Sequence, residues 1–465
     1  MRIAFATVGC RLNQFETDAL RGKALADGYQ AVPFEEVADV YVINTCTVTA
    51  EADADSRQLT RRAVRRNPAA LVVMTGCYAQ AAPDAAAAIP GVDLVVGNVG
   101  KSGLLAEVQR VRKTGAVRVR VGDIGGVTRI DGDEYGPGID PDRTRAFLKV
   151  QDGCNYTCSF CIVPAVRGSN RSQSPAAVLA AIRRLHAAGF PEVVLSGIHL
   201  GTYGRDLDPR TTLVALCEAI AALPDGPRVR LSSLDPHEVT PELIRILGGS
   251  PRFCRHLHLP VQSGDEEILR RMRRGHGAAE FRALVERLAA AVPGIAVTAD
   301  VIVGFPGEGE AAFQCTVDLL EALPLAGLHV FRYSPRPGTA AADFPDRVPK
   351  TVTRERSRVL RALAGRKALA FRRQAVGSVL DTVVLRRDGK TDLLEGLSDN
   401  YLRVWFPGEA AFQGRVVRVR ADQATGQGVV GMLIGREASS GCCGAGMGDP
   451  ARRSGDSVDS PKSVQ

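Results

Sequence analysis

No stretch of this 465-residue chain approaches the roughly 20 consecutive apolar residues that a helix needs to cross a bilayer, so no membrane span or membrane partner is expected. Its start, MRIAFATVGC, is one short apolar run ending at a cysteine, without the length or cleavage pattern of a secretory leader. A cytoplasmic location is the expectation. A disulfide framework is equally unexpected. The eleven cysteines are an odd number, and in a reducing compartment thiols serve as metal ligands, catalytic groups or small core residues. An acidic excess is missing too: the net charge of +8 admits a polyanionic partner, provided the charge is concentrated rather than spread. Hydrophobic and charged contents of 45% and 24% are ordinary for a globular chain, and the length suggests about two to four domains.

What is present centres on Arg145–Pro164, RAFLKVQDGCNYTCSFCIVP. An apolar run, Ala146–Val150, stops at Gln151-Asp152-Gly153, and Cys154, Cys158 and Cys161 follow with the spacing C-x3-C-x2-C. Thiolates are soft ligands suited to zinc, copper(I) and iron–sulfur clusters. A four-iron cluster normally takes four cysteines. Three would leave one iron open, and an open position on a metal centre is where chemistry takes place. The competing reading is a zinc knuckle, although the loop has no histidine to complete one.

Upstream, short apolar runs alternate with helical patterns. Strands are expected over Ile3–Val8, Val40–Asn44, Leu71–Thr75 and Leu94–Val96. Helices are expected over Gln14–Ala26, Ala54–Arg66, an Ala-rich segment and Lys101–Val111. Such alternation implies βαβ units and a parallel sheet. Cys10, Cys46 and Cys77 each stand just past the carboxyl end of one of the first three strands, the edge at which open α/β sheets bind ligands. One such cysteine would pass as an inert core residue. Three at equivalent positions argue for a second metal site.

The segment 114–144 is rich in glycine and aspartate and reads as a linker, with room for a strand over Val117–Val121. From Arg145 to Pro337, six strand candidates alternate with helices: Phe147–Val150, Val193–Ser196, Val229–Ser232, His256–Val261, Ala296–Val303 and Leu328–Tyr333. They are too few for a complete eight-unit barrel and fit an open, partial one. Barrel enzymes keep their sites at the strand carboxyl ends. There Gly197, Ser232, Gln262 and Asp300 can hold a ligand or simply shape loops and cap helices. Cys217, Cys254 and Cys315 read as structural.

Between Lys350 and Arg373, nine basic residues stand against the single acid Glu355. This is a solvated helix face or a phosphate-binding one. From Ala375 to Arg436 short alternating strands with frequent turns suggest a small β-barrel, an architecture that commonly binds oligonucleotides. Tyr401, Arg403 and Trp405 can offer stacking and charge there, and Trp405 reads equally well as core. The tail after Glu437, with Cys442 and Cys443, has a disordered composition.

The cysteine loop resembles the signature of the radical S-adenosylmethionine (radical SAM) enzymes. Two cysteine triples, a partial barrel and a terminal barrel in this order resemble the radical SAM methylthiotransferases over nearly the whole chain. The resemblance implies an α/β protein in parts: an amino-terminal open parallel α/β domain (1–113), a linker (114–144), a partial (βα)6 barrel ending in the basic helix (145–373), a small RNA-binding β-barrel of the TRAM type (374–437) and a tail (438–465). It implies two 4Fe–4S clusters, an auxiliary one on Cys10, Cys46 and Cys77 and a radical SAM one on Cys154, Cys158 and Cys161. S-adenosylmethionine would bind at the open iron, contacted by Phe160 and the rim residues Gly197, Ser232, Gln262 and Asp300. The segments GCRLNQFET, INTCTVTAEADADSRQ and FCIVPAVRG look most like the branch that modifies N6-threonylcarbamoyladenosine in tRNA. The isopentenyl-adenosine branch tends to have Asp-Ser where Glu16-Thr17 stands, and the ribosomal-protein branch Pro-Lys-Asn in place of Arg11-Leu12-Asn13.

The implied reaction replaces C–H by C–S–CH3 at C2 of adenine. That carbon suits neither acid nor base catalysis, so radical chemistry supplied by the cofactor is the sensible route. Implied partners are a tRNA anticodon stem-loop, a reductant such as flavodoxin or ferredoxin, and a sulfur donor. Arg354, Arg358, Arg361, Lys367 and Arg403 are the expected RNA contacts. The alternatives are the same chemistry on another modified adenosine or on a protein residue, or a zinc-stabilised, non-catalytic RNA-binding protein.

Overall fold

The computed structural model describes residues 1–130 and 143–436. The whole stretch DGDEYGPGIDPD of the linker and the tail with Cys442 and Cys443 lie outside the described residues. In the amino-terminal part the elements run β1 (Arg2–Thr7), α1 (Arg11–Ala26), β2 (Gln30–Val32), β3 (Val40–Thr45), α2 (Ala50–Arg66), β4 (Leu71–Gly76), α3 (Cys77–Ala81), α4 (Pro83–Ala87), β5 (Leu94–Val96), α5 (Leu104–Arg110) and β6 (Arg118–Arg120). They form one parallel sheet in the order β2-β1-β3-β4-β5-β6. Helices cover both faces of its centre, which is why β3 and β4 read as unbroken apolar runs. Pro83 divides the Ala-rich segment in two, because proline can open a helix but cannot continue one. Strand β2, at the sheet edge, is too short at three residues to register in the sequence pattern.

The central part runs β7 (Arg145–Lys149), β8 (Gln151–Asp152), α6 (Val163–Arg167), β9 (Arg171–Ser172), α7 (Pro175–Ala187), β10 (Glu192–Ser196), α8 (Leu213–Ala221), β11 (Arg228–Leu231), α9 (Pro241–Gly249), β12 (His256–His258), α10 (Glu266–Arg271), α11 (Ala278–Ala291), β13 (Ala296–Val303), α12 (Glu310–Ala322) and β14 (Gly327–Arg332). Two parallel sheets, β11-β10-β7 and β12-β13-β14, are joined by bridges Val229–Phe253 and Ser233–His258 into one curved wall. This is the expected open barrel of six strands. Its helices start where side chains satisfy free amides: Ser174, Thr212, Thr240 and Asp265 each accept from an N–H three residues on. Along β13, Ala299, Val301 and Val303 are buried under helices, whereas Thr298, Asp300 and Ile302 stand half-buried on the opposite, lumen face.

The basic helix α13 (Lys350–Gln374) leads to β15 (Val379–Arg387), β16 (Leu394–Ser398), β17 (Arg403–Phe406), β18 (Val416–Ala424) and β19 (Val429–Arg436), a closed barrel ordered β15-β16-β17-β19-β18. No helix among the described residues is long and apolar enough to cross a membrane.

The amino-terminal part reaches both edge strands of the open barrel. At the β7 edge, Glu16 meets Lys149 and Arg167. At the β14 edge, Glu51 pairs with Arg332 at 2.6 Å and Asp53 with Arg336 at 2.8 Å. It therefore spans the seam that six strands leave open. The small barrel is fastened to the amino ends of the strands. Arg228 donates to the carbonyls of Asp381 and Leu397, Arg230 to those of Ser398 and Asp399, and Arg255 pairs with Asp399 at 2.6 Å.

Candidate active site

The loop after β7 is a tight structure pinned from several sides. Gly153 has φ +72°, and a Cβ there would fall 2.0 Å from the Ser169 carbonyl oxygen. Cys154 N–H donates to the Gly168 carbonyl at 3.0 Å, and Ser159 N–H to that of Met272 at 3.1 Å. Cys154 Sγ lies 3.2 Å from His199 Nδ1, and Cys158 Sγ accepts from Arg274 Nη1 at 3.5 Å. Burial, with smaller contributions from Cys158 and Cys154, pushes the Cys161 thiol up to about 12. Burial raises Cys158 as well, although Arg274 opposes it. Burial would lower His199, but its bonds to Cys154 and Glu238 outweigh that and bring it up to about 9. Thiols kept protonated by burial and by one another are the kind that a bound metal ionises, because its charge reverses the local potential.

The second triad sits at three strand ends, as expected. Cys10 precedes α1, Cys46 follows β3, and Cys77 opens α3. Gly9 has φ +100°, and a Cβ there would lie 2.6 Å from Cys46 Cβ and 2.8 Å from its Sγ. Burial raises both Cys10 and Cys46, and Cys77 adds to each. Beside them lies a buried charge cluster. Arg167, at the end of α6, donates from Nε to Cys77 Sγ at 3.3 Å and pairs with Glu16. Lys101 pairs with Glu16 at 2.5 Å, and Lys149 and Arg171 each lie 3.5 Å from Asp152. Among the described residues this cluster holds four cations, Arg167, Arg171, Lys101 and Lys149, against two carboxylates, Glu16 and Asp152. Buried charge needs a partner. An iron–sulfur cluster on three thiolates is anionic and fits that excess.

On the barrel rim, Gly197 N–H faces Ser232 Oγ at 3.4 Å. Gln262, with φ +68°, donates its N–H to the Asp300 carbonyl at 2.9 Å, and its buried Oε1 has no hydrogen-bond partner. Phe160 is half-buried and packs with Met272 and Phe305. The Asp300 carboxylate is engaged: His258 Nε2 lies 3.0 Å and His329 Nδ1 3.2 Å from Oδ1.

Known proteins carry the same parts in the same order. Residues 2–97 match the family described as "Uncharacterized protein family UPF0004", and residues 148–320 match the radical SAM superfamily. The threonylcarbamoyladenosine tRNA methylthiotransferase MtaB of Bacillus subtilis is 40% identical over 425 residues, covering 90% of this chain and 93% of that protein. The protein of the same name from Aquifex aeolicus is 39% identical, covering 90% of this chain and 100% of that one. The chain belongs to the radical SAM methylthiotransferases. Its fold is also similar to that of the radical SAM methyltransferase TsrM from Kitasatospora setae, with a TM-score of 0.53 at 19% identity over 73% of this chain and 75% of that one. Radical SAM methylthiotransferases use S-adenosylmethionine and two 4Fe–4S clusters.

In this methylthiotransferase the sequence pattern does not single out the residues that approach the sulfurs, nor Glu238, which pairs with one of them, His199. His199 and Glu238 lie inside SGIHLGTYG and LSSLDPHE, segments whose glycine and polar signals mark the rim without singling them out. Arg274 carries no signal, and Arg167 lies within FCIVPAVRG without being marked out in it, because their sulfur partners are distant in sequence. Of the expected RNA contacts, Arg354, Arg358 and Arg361 are exposed on α13 at helical spacing, with Arg358 paired to Glu355. Arg403 is exposed on the small barrel, 3.6 Å from Glu395. Lys367 is engaged elsewhere: it donates to the carbonyls of Glu321 and Leu323 at the end of α12. Tyr401, expected as an RNA-stacking residue, instead stacks on His256 at 4.3 Å inside the molecule.

Proposed function

We propose that this enzyme converts N6-threonylcarbamoyladenosine, next to the tRNA anticodon, into its 2-methylthio derivative. The observation that carries the reading is the pair of cysteine triads tied together by Arg167, which follows Cys161 on the same short segment and donates to Cys77. Cys154, Cys158 and Cys161 would hold the radical SAM cluster, and Cys10, Cys46 and Cys77 the auxiliary one. Bound there, the clusters and S-adenosylmethionine supply the radical chemistry, the sulfur and the methyl group. The protein's own part is orientation and electrostatics. Phe160, Gly197, Ser232, Gln262 and Asp300 are assigned to S-adenosylmethionine. The orphaned Gln262 Oε1 supports its share in this, whereas Asp300 acts with His258 and His329 already attached.

The stem-loop would lie along Arg354, Arg358 and Arg361 and the Arg403 face of the TRAM-like barrel, where unpaired loop bases are available for readout. A flavodoxin- or ferredoxin-like reductant, a sulfur donor and a cytoplasmic setting complete the reading. Nucleoside mass spectrometry of tRNA from cells with and without the gene tests it. If the 2-methylthio derivative of threonylcarbamoyladenosine is unchanged, the substrate assignment fails. Zinc without iron or sulfide in anaerobically purified protein would overturn the radical mechanism itself.

A further inference from the structure

Arg11 directly follows the candidate cluster ligand Cys10, and its surroundings differ from those of five cations with buried side chains around it. Arg167 and Lys101 have Glu16, Arg230 has Glu192, Arg274 has Asp235 and Arg336 has Asp53. Arg11 is half-buried, yet among the described residues no carboxylate pairs with it. Its partner is a phenol: Nη2 donates to Tyr401 Oη at 2.9 Å, with the guanidinium 5.7 Å from the ring centroid. Tyr401 arrives from the far end of the chain, on the turn between β16 and β17 that the small barrel inserts under the partial barrel. Its ring is clamped between the His256 ring at 4.3 Å and the Arg230 guanidinium at 5.0 Å. His256 is itself buried, and its Nδ1 has no hydrogen-bond partner. An unbalanced guanidinium and a histidine with an orphaned ring nitrogen thus both border the Tyr401 ring, and the guanidinium belongs to the residue next to a candidate cluster ligand.

A guanidinium fixed at one corner by a phenol keeps its remaining N–H groups in a planar fork, which matches a carboxylate in two-point contact. The substrate proposed above carries such a group. Its N6 arm is a threonine joined through a urea, and only one ring nitrogen separates the carbon bearing N6 from C2, the carbon that receives sulfur. With C2 directed at the sulfur of the Cys10 site, the arm would project close enough for a receptor on the residue next to Cys10 to meet it. An isopentenyl arm at the same place would leave Arg11 desolvated and unpaired, which costs affinity. We propose that Arg11, positioned by Tyr401, is the carboxylate receptor that selects an adenosine with an acidic N6 arm over one with an apolar arm. This inference rests on the tRNA reading.

The test uses cluster-loaded full-length protein and two anticodon stem-loops. One carries N6-threonylcarbamoyladenosine and the other its neutral methyl ester. Dissociation constants are measured by fluorescence anisotropy, and turnover by mass spectrometry, for the wild type, Arg11→Gln, Arg11→Lys and Tyr401→Phe. The wild type is expected to prefer the acid over the ester by roughly 10–100-fold, the effect of one charge-assisted contact pair. Arg11→Gln should bring the ratio near one, Arg11→Lys should keep part of it, and Tyr401→Phe should reduce it. A wild-type ratio near one, or a ratio unchanged in Arg11→Gln, overturns the inference. If Arg11→Gln fails to take up iron, the Tyr401→Phe ratio decides in the same way. Failure of the underlying substrate reading looks different: the loaded wild type would bind the acid stem-loop but leave its adenosine unmodified.

Discussion

Replacing Arg167 by methionine should be among the most damaging single changes outside the cysteines. The side chain is 1% exposed and meets Glu16, Asn13, Asp152 and Cys77 Sγ. Removing one partner of a buried pair costs about 3–5 kcal/mol, because the other charge stays buried. Here the loss is cushioned. Glu16 keeps Lys101 at 2.5 Å and Lys149 at 3.7 Å, and Asp152 keeps Arg171 and Lys149 at 3.5 Å. The lower end, about 3 kcal/mol, is therefore expected. Burial would raise the Glu16 pKa, but Arg167 and the two lysines hold it well below the usual carboxylate range. Stability from a depressed carboxylate is present above its unfolded pKa and lost as pH falls through the folded one. The penalty of Arg167→Met should accordingly be full at pH 7 and begin to shrink only below the unfolded carboxylate value of about 4, continuing toward the lower pH at which Glu16 protonates in the fold. Urea unfolding of anaerobic, cluster-free protein at several pH values measures it, in a cycle with Glu16→Gln. A loss under about 1 kcal/mol at pH 7, or additivity of the two changes within about 0.5 kcal/mol, would refute the reasoning.

Three further outcomes follow from the same geometry. Gly9→Ala should lower iron content by about half without affecting the Cys154 loop, because the new methyl meets Cys46; full iron by elemental analysis would sink the two-site assignment. Burial would raise the Asp300 pKa, but His258 and His329 bring it down to about 2, so Asp300→Asn should cost about 2 kcal/mol at pH 7. That cost should disappear between about pH 4 and 2, and a pH-independent loss in urea titrations would contradict it. Arg354→Ala, Arg358→Ala and Arg361→Ala together should weaken stem-loop binding and lower the slope of log affinity against log salt by about two to three. An unchanged slope would remove α13 from the RNA path.

Much of this was legible in sequence because strands carry a strong local signal. The three Cys-bearing strand ends needed only apolar runs, and β13 came out residue for residue as Ala296–Val303. Signals that depend on distant partners were not legible. The run of basic residues in α13 looks uniform along the chain, yet Arg356 is buried against Glu308 and Glu310, and Arg372 donates to the Gly426 carbonyl at 2.7 Å. Tyr401 reads as a surface aromatic because nothing nearby in sequence tells of His256 or Arg11. Helix α10, which supports the Cys154 loop through Met272, leaves no trace in the sequence pattern because its six residues carry too few apolar positions to show a period.

The turn at Ser398–Tyr401 joins the carboxy-terminal barrel to the interior of the enzyme. Exchanging that barrel for a relative's would therefore do more than alter RNA affinity. The graft would bring its own residue to the place of Tyr401 and reset the neighbour of Arg11. In this architecture the module proposed to grip the nucleic acid also contacts the residue next to Cys10, so a change in one is felt by the other.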